Sequence, residues 1–197
     1  MSGKVLFTVG DDKYPACFNF ANNPFDLYAT GYLQAGDILV EFVKAEGCHI
    51  DTLIYPIVFN YRQYLELRLK EIIMKGRELL EQEGRYPNHH HKIKDLWDTA
   101  KPIMRKIWEE AGEPEEFGLI DNIMVEFSDL DPQSDAFRFP EDKNGKAHLS
   151  GMKRIGPSHF QSIIHKVSNF LDGVSSEIGV YLENMSDLRM NQAYDFE

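Results

Sequence analysis

"YRQYLELRLKEII", residues 61–73, decides how this chain is read. Tyr61, Tyr64, Leu65, Leu69, Ile72 and Ile73 recur at three- and four-residue spacing, which places them on one face of an α-helix. Arg62, Glu66 and Lys70 form a second stripe, with Glu66 four residues ahead of Lys70, the favourable order for an exposed helical ion pair. The pattern predicts the longest helix of the protein over 51–83, stopped by Gly84 and Pro87 in "EGRYPN". Pro56, in its first turns, either kinks it or marks its true start.

Helical spacing continues on both sides of that segment. Upstream, Tyr28, Tyr32, Ala35, Leu39 and Phe42 predict a first helix over 25–46, with Asn23 as its cap and Pro24 at its first position. Downstream, Ile93, Leu96, Trp97, Ala100, Met104, Ile107 and Trp108 predict a third helix over 89–111, bent at Pro102, with Asn88 as its cap. Leu119, Ile120, Ile123, Met124 and Phe127 predict a fourth over 115–129, and Glu113, Glu115 and Glu116 suit its positive N-terminal end. A last helix opens at Gly156-Pro157 and carries Phe160, Ile163, Ile164, Val167, Phe170, Leu171, Val174, Ile178, Tyr181, Leu182 and Met185. Beyond Asn191 the tail is expected to be loose.

Two segments break the helical pattern. "KVLFTV", "GDDK" and "YPACFNF" predict a β-hairpin within 1–22, with Pro15 on an edge. Within 131–156, Asn144-Gly145 between "FRF" and "AHL" predicts a hairpin or an ordered loop. The expected fold is therefore mainly α: an up-and-down bundle of four to five helices in one domain, 1–197, with the bundle over 25–190 and the hairpin as an embellishment.

The 197 residues suit a single domain, and a hydrophobic content of 43% excludes a disordered composition. The net charge of −11 repels phosphate backbones, which argues against DNA as a partner and confines any nucleic-acid contact to a local basic surface. Cys17 and Cys48 have neither metal spacing nor a disulfide framework and read as buried small hydrophobes in a reducing compartment. The apolar run at the N-terminus is too short for a signal peptide or a membrane span, so the expected location is the cytoplasm, with no membrane contact.

The 61–73 segment, followed by "HKIKDLWD" at 91–98, resembles HEPN domains. In those domains one helix carries an E-L-x-L-K type run and the next opens with H-x-L-x-x-L. The matching residues here are Glu66, Leu67, Leu69 and Lys70, then His91, Ile93 and Leu96, with isoleucine in place of the usual leucine. "DAFRFPEDKNGK" is also similar to a loop of uncharacterised bacterial HEPN-like proteins. The resemblance spans 25–185, although its diagnostic motifs occupy only 61–98, and it implies a prokaryotic source. Many members of that family are metal-independent endoribonucleases of toxin–antitoxin or antiviral modules, with an arginine and a histidine separated by four to six residues. Others lack the pair and act as binding or scaffold modules.

Arg85 precedes His90 by four intervening residues and His91 by five, which matches the nuclease spacing. A histidine can take the ribose 2′-hydroxyl proton or protonate the leaving oxygen, while an arginine neutralises the phosphate. Spacing alone decides little, because eight arginines and seven histidines yield roughly one such pair by chance. Arg154 and His159 in "RIGPSH" supply a second candidate pair. The polar residue that usually follows the arginine is replaced by Tyr86 in one case and Ile155 in the other.

A solvated turn, with His91 bonded to a nearby polar side chain, explains His89, His90 and His91 equally well. As metal ligands they lack a partner at helical spacing, so neither a metal nor another cofactor is expected. Between 84 and 106, six cations, among them Lys94, Lys101 and Arg105, face only Asp95 and Asp98, a surface a phosphate would choose. The same charges also read as an ordinary outer helix face. Arg138, flanked by aromatics, either reaches the histidines or binds Glu141 or Asp142 locally. Glu66 and Lys70 read as a polar tie between helices.

Two functions remain open. One is a metal-independent endoribonuclease effector, a homodimer acting on RNA with a neutralising protein encoded nearby, in which Arg85 and His90 or His91 do the work. The other is a non-catalytic HEPN-like module that binds a protein or a nucleotide-like ligand.

Overall fold

The computed structural model describes residues 6, 13–21, 23–84, 91–109 and 112–194. Among these residues five helices follow one another: α1, Pro24–Glu46; α2, Ile50–Leu79; α3, Ile93–Ile107; α4, Glu116–Leu130; and α5, Pro157–Tyr194. Helix α2 is the central element, packed against α1, α3 and α5, while α4 closes the bundle against α3 and α5. The expected mainly helical bundle is what the chain forms, and no described helix is long and apolar enough to cross a membrane.

Helix α1 begins as its sequence dictates. Asn23 is extended, its side-chain oxygen accepts from the Asp26 amide, and Pro24 fills the first position, where an N–H would have no partner. Gly47 ends the helix in the left-handed region, its N–H donating to the Val43 carbonyl. The face it buries is only partly the expected one: Tyr32 and Leu39 pack against the core but are not at its centre. Ala29, Gly36, Val40 and Val43 turn inward, whereas Tyr28 and Phe42 are exposed. Small residues win because α1 lies very close to α2: a Cβ on Gly36 would stand 2.8 Å from Tyr61 Cε1. Bulky rings are displaced to the flanks of so tight a contact.

Helix α2 buries more than its apolar stripe. Ile57, Tyr61, Tyr64, Leu65, Leu69, Ile72 and Ile73 are in the core, but Arg62, Glu66, Arg68, Lys70 and Glu71 are buried too. The stripe of Arg62, Glu66 and Lys70 is therefore not a solvent face, and the expected exposed pair is an internal one. The helix starts at Ile50, six residues ahead of Pro56, so the proline does not mark its beginning.

Helix α3 is shorter than expected. Lys92 is extended at its N-cap and gives no side-chain cap, and Trp108 closes the C-terminal end. Asn88, the expected cap, lies outside the described residues. The amphipathic stripe holds, with Ile93, Leu96, Trp97, Ala100 and Met104 buried. Trp97 meets Phe117 of α4 edge-on, with ring centroids 5.2 Å apart. Helix α5 continues to Tyr194, past the point where a loose tail was expected.

The N-terminal β-hairpin is not supported. Its first arm lies outside the described residues apart from the exposed Leu6, and the second arm is not a strand: Tyr14, Phe18 and Phe20 are exposed. Asn19 takes a left-handed backbone, which interrupts the two-residue alternation that a strand requires. The segment after α4 resolves to an ordered loop with one isolated bridge, Glu141 to Ala147. Gly145 sits at positive φ at its tip, and the Asp142 side chain accepts from the Asn144 and Lys146 amides.

Candidate functional site

The buried stripe of α2 builds a charge network where the chain enters α3. Arg62 is its hub, and each part of the guanidinium has a separate task. One terminal nitrogen donates to Glu66 Oε2 at 3.1 Å, and the other donates to the backbone carbonyl of His91 at 2.7 Å. Nε lies 3.2 Å from Asp131 Oδ2, close enough for an ion pair but too bent for a hydrogen bond. Asp131 uses its other oxygen to accept from the Asp135 and Ala136 amides, at 2.8 and 2.9 Å. One arginine thus joins α2, the approach to α3 and the loop after α4.

Glu66 is the second hub. Its Oε1 accepts from Lys70 Nζ at 2.7 Å and lies 3.1 Å from His91 Nδ1. Burial alone would raise the Glu66 pKa, but Lys70, Arg62 and His91 outweigh it and hold the carboxyl below its ordinary range. Two carboxylates, Glu66 and Asp131, thus match two cations, Arg62 and Lys70, in a region nearly sealed from water. Only 1% of the Glu66 side chain is exposed, against 65% of His91. A fixed carboxylate therefore holds one ring nitrogen while the rest of the imidazole faces solvent. This is the arrangement that orients a histidine for proton transfer.

Of the residues expected at a site, His91 alone of the histidine run is described; Arg85, His89 and His90 lie outside the described residues. The tie expected between helices from Glu66 and Lys70 lies instead within α2, and Glu66 reaches only the turn before α3, through His91. Arg154 and His159 are both exposed, and Arg154 lines a cleft that His159 does not. Three of the cations of α3 are matched to carboxylates. Lys94 pairs with Asp98 at 2.6 Å, Lys101 with Asp121 at 2.6 Å, and Arg105 with Glu113 at 2.7 Å. Arg138 instead donates from Nε to the Ser134 carbonyl and lies over the rings of Phe59 and Phe139. Among the described residues, no group of three His, Cys, Asp or Glu side chains is placed to hold a metal.

Three features were not legible in advance. Asp131 is one: Asp131-Pro132 signals a turn, but nothing local points to Arg62. A second cluster joins α1 and α5, where Asp37 Oδ1 accepts from Tyr61 at 2.7 Å and from Gln161 at 3.0 Å, and lies 2.7 Å from His165 Nε2. A third ties Arg68 to Asp26, Glu71 and Asp172, with Tyr64 donating to Asp172 at 2.7 Å. These two clusters stitch helices together through partly buried polar contacts. The Glu66–His91 pair combines a sealed carboxylate with an imidazole that is mostly open to solvent.

Comparison with protein-family models, with curated proteins and with solved structures finds no match for this chain.

Proposed function

We propose that the chain is a metal-independent endoribonuclease of HEPN-like type, with His91 as the acid–base group. The observation that carries this reading is the 3.1 Å contact between His91 Nδ1 and the sealed carboxylate of Glu66. Glu66 does not need His91 for neutrality, since Lys70 and Arg62 already contact it. The contact instead fixes the position of an imidazole that solvent and a substrate can reach.

In the reaction, the ribose 2′-oxygen attacks the neighbouring phosphorus. The O2′–P bond forms, the P–O5′ bond breaks, and the products are a 2′,3′-cyclic phosphate and a 5′-hydroxyl. His91 accepts the 2′-hydroxyl proton or donates one to the departing 5′-oxygen, and Arg85 neutralises charge on the phosphate. The buried cations beneath Glu66 keep it ionised, so the carboxylate remains an acceptor for the ring. The resemblance to HEPN effectors adds the setting: a toxin or antiviral module in the cytoplasm, acting as a dimer beside a neutralising protein.

The test is the chemistry of the product. An RNA oligonucleotide incubated with the protein in EDTA is expected to yield 2′,3′-cyclic phosphate ends, and a strand with 2′-deoxy sugars is expected to stay intact. Absence of cyclic ends, or cleavage of the deoxy strand, would overturn the proposal and leave the chain a binding module.

A further inference from the structure

The loop that Asp131 anchors forms one wall of a cleft of about 720 Å³ that faces the first turns of α2. That size lies within the usual range of ligand sites. Its lining combines two chemistries. Tyr55 and Phe139 present ring surfaces, 47% and 55% exposed, and Arg138, Lys153 and Arg154 present positive charge against Asp51 alone.

The charge there differs in kind from that of the three expected phosphate-binding cations on α3. Lys94, Lys101 and Arg105 are each spent on a carboxylate. Among the described residues, no carboxylate stands within ion-pair distance of Arg138, Lys153 or Arg154. Arg138 is also held in place: Nε donates to the Ser134 carbonyl at 2.6 Å, and the guanidinium carbon lies 5.3 Å from the Phe139 ring centre and 5.9 Å from that of Phe59. The bond to Ser134 uses Nε alone, and the planar fork of terminal N–H donors on a guanidinium suits phosphate oxygens. In a chain of net charge −11, uncommitted cations beside exposed rings stand out as a place for an anionic ligand with flat faces.

We propose that this cleft seats a single RNA strand, with an unstacked base against Tyr55 or Phe139 and the adjoining phosphates on Arg138, Lys153 and Arg154. Ring stacking with cationic contacts to the backbone is how single strands are held without regard to sequence. A duplex keeps its bases stacked and offers none to the rings. The choice of RNA over DNA rests on the nuclease reading; the strand-binding chemistry does not. Asp131 connects the two places, since one oxygen pairs with the arginine that holds the His91 carbonyl and the other holds the cleft wall.

The test measures binding in a full-length chain carrying His91→Ala, so that cleavage does not interfere. Fluorescence anisotropy of a fluorescein-labelled oligouridylate is expected to show saturable binding whose logarithm falls against the logarithm of salt with a slope of about −2, as three phosphate contacts on a single strand require. Phe139→Ala or Tyr55→Ala is expected to weaken it about tenfold. Arg138→Ala should weaken it at least as much. Lys153→Glu with Arg154→Glu, both at exposed positions, gives the same result without touching the packing of Arg138. Lys94→Ala with Arg105→Ala is expected to change nothing. Absence of saturable binding, indifference to the cleft substitutions, or preference for a duplex or for free UMP would overturn the proposal. Strand binding by the His91→Ala chain with no cleavage by the wild type would refute the nuclease reading alone, and wild-type cleavage without cleft-dependent binding would refute this one alone.

Discussion

Glu66 Oε1 lies 3.1 Å from His91 Nδ1, and the two side chains have opposite exposures, one sealed and the other facing water. A change at His91 should therefore be felt in chemistry and hardly at all in folding. His91→Ala is expected to lower stability by less than about 1 kcal/mol, as surface substitutions do. RNA cleavage should fall at least about a hundredfold, the lower end of what a positioned acid–base group contributes. Urea melts and cleavage rates on the same preparations check both halves.

Glu66→Gln acts from the buried side. It strips Arg62 and Lys70 of a shared carboxylate, and breaking a buried ion pair from one side costs about 3–5 kcal/mol. Adding Lys70→Met removes the stranded cation, while Arg62 keeps Asp131. The double variant is expected to be more stable than Glu66→Gln alone, a non-additivity that denaturant titration measures directly.

Much of the fold could be read from periodicity, because a helix face facing a core must repeat every three or four residues. The content of the faces was harder. Arg62, Glu66 and Lys70 have the same spacing whether water or another segment covers them, and what covers them, the His91 carbonyl and Asp131, comes from elsewhere in the chain. In α1 the larger side chains suggested a stripe through Tyr28 and Phe42, but the inward face is set by how closely α2 approaches, which only Tyr61 against Gly36 reveals. At the site, His91 and Glu66 were both visible as motif residues. Their contact was not, since it joins α2 to the turn that precedes α3.

That close approach can be tested. Gly36→Ala would drive a methyl into the Tyr61 ring and is expected to destabilise by about 1–3 kcal/mol. Gly31→Ala, on the same helix with nothing within 4 Å, is expected to stabilise by up to about 1 kcal/mol, because alanine forms helix better than glycine. Opposite signs in thermal melts would confirm which face of α1 is inside.

Acid should weaken the bundle through the buried carboxyls of Glu66 and Glu71 and the half-buried one of Asp37. Glu66 and Glu71 titrate below their ordinary 4.5 and Asp37 below its ordinary 3.8; in each case burial opposes the shift and hydrogen-bonded or charged partners outweigh it. As pH falls past those ordinary values, the unfolded chain takes up protons first. The stabilisation is therefore complete above them and is lost as pH drops through the lower folded values. Tm is expected to hold from neutrality down to about pH 5 and to fall below it.

Alkali acts through Tyr61 and Tyr64. Burial, then the neighbouring carboxylates Asp37 and Asp172, push both phenols above their ordinary 10.0. The unfolded chain releases those protons first, so stability is complete below that value and declines as pH rises past it. Tyr64→Phe is expected to reduce the alkaline decline, which a Tm profile would show.

The most direct measurement is cleavage of labelled RNA in EDTA by the wild-type protein beside Arg85→Ala, His90→Ala and His91→Ala. The account predicts cleavage by the wild type that persists in EDTA and is lost in His91→Ala at unchanged Tm. No cleavage by the wild type, or undiminished cleavage by His91→Ala, would contradict it.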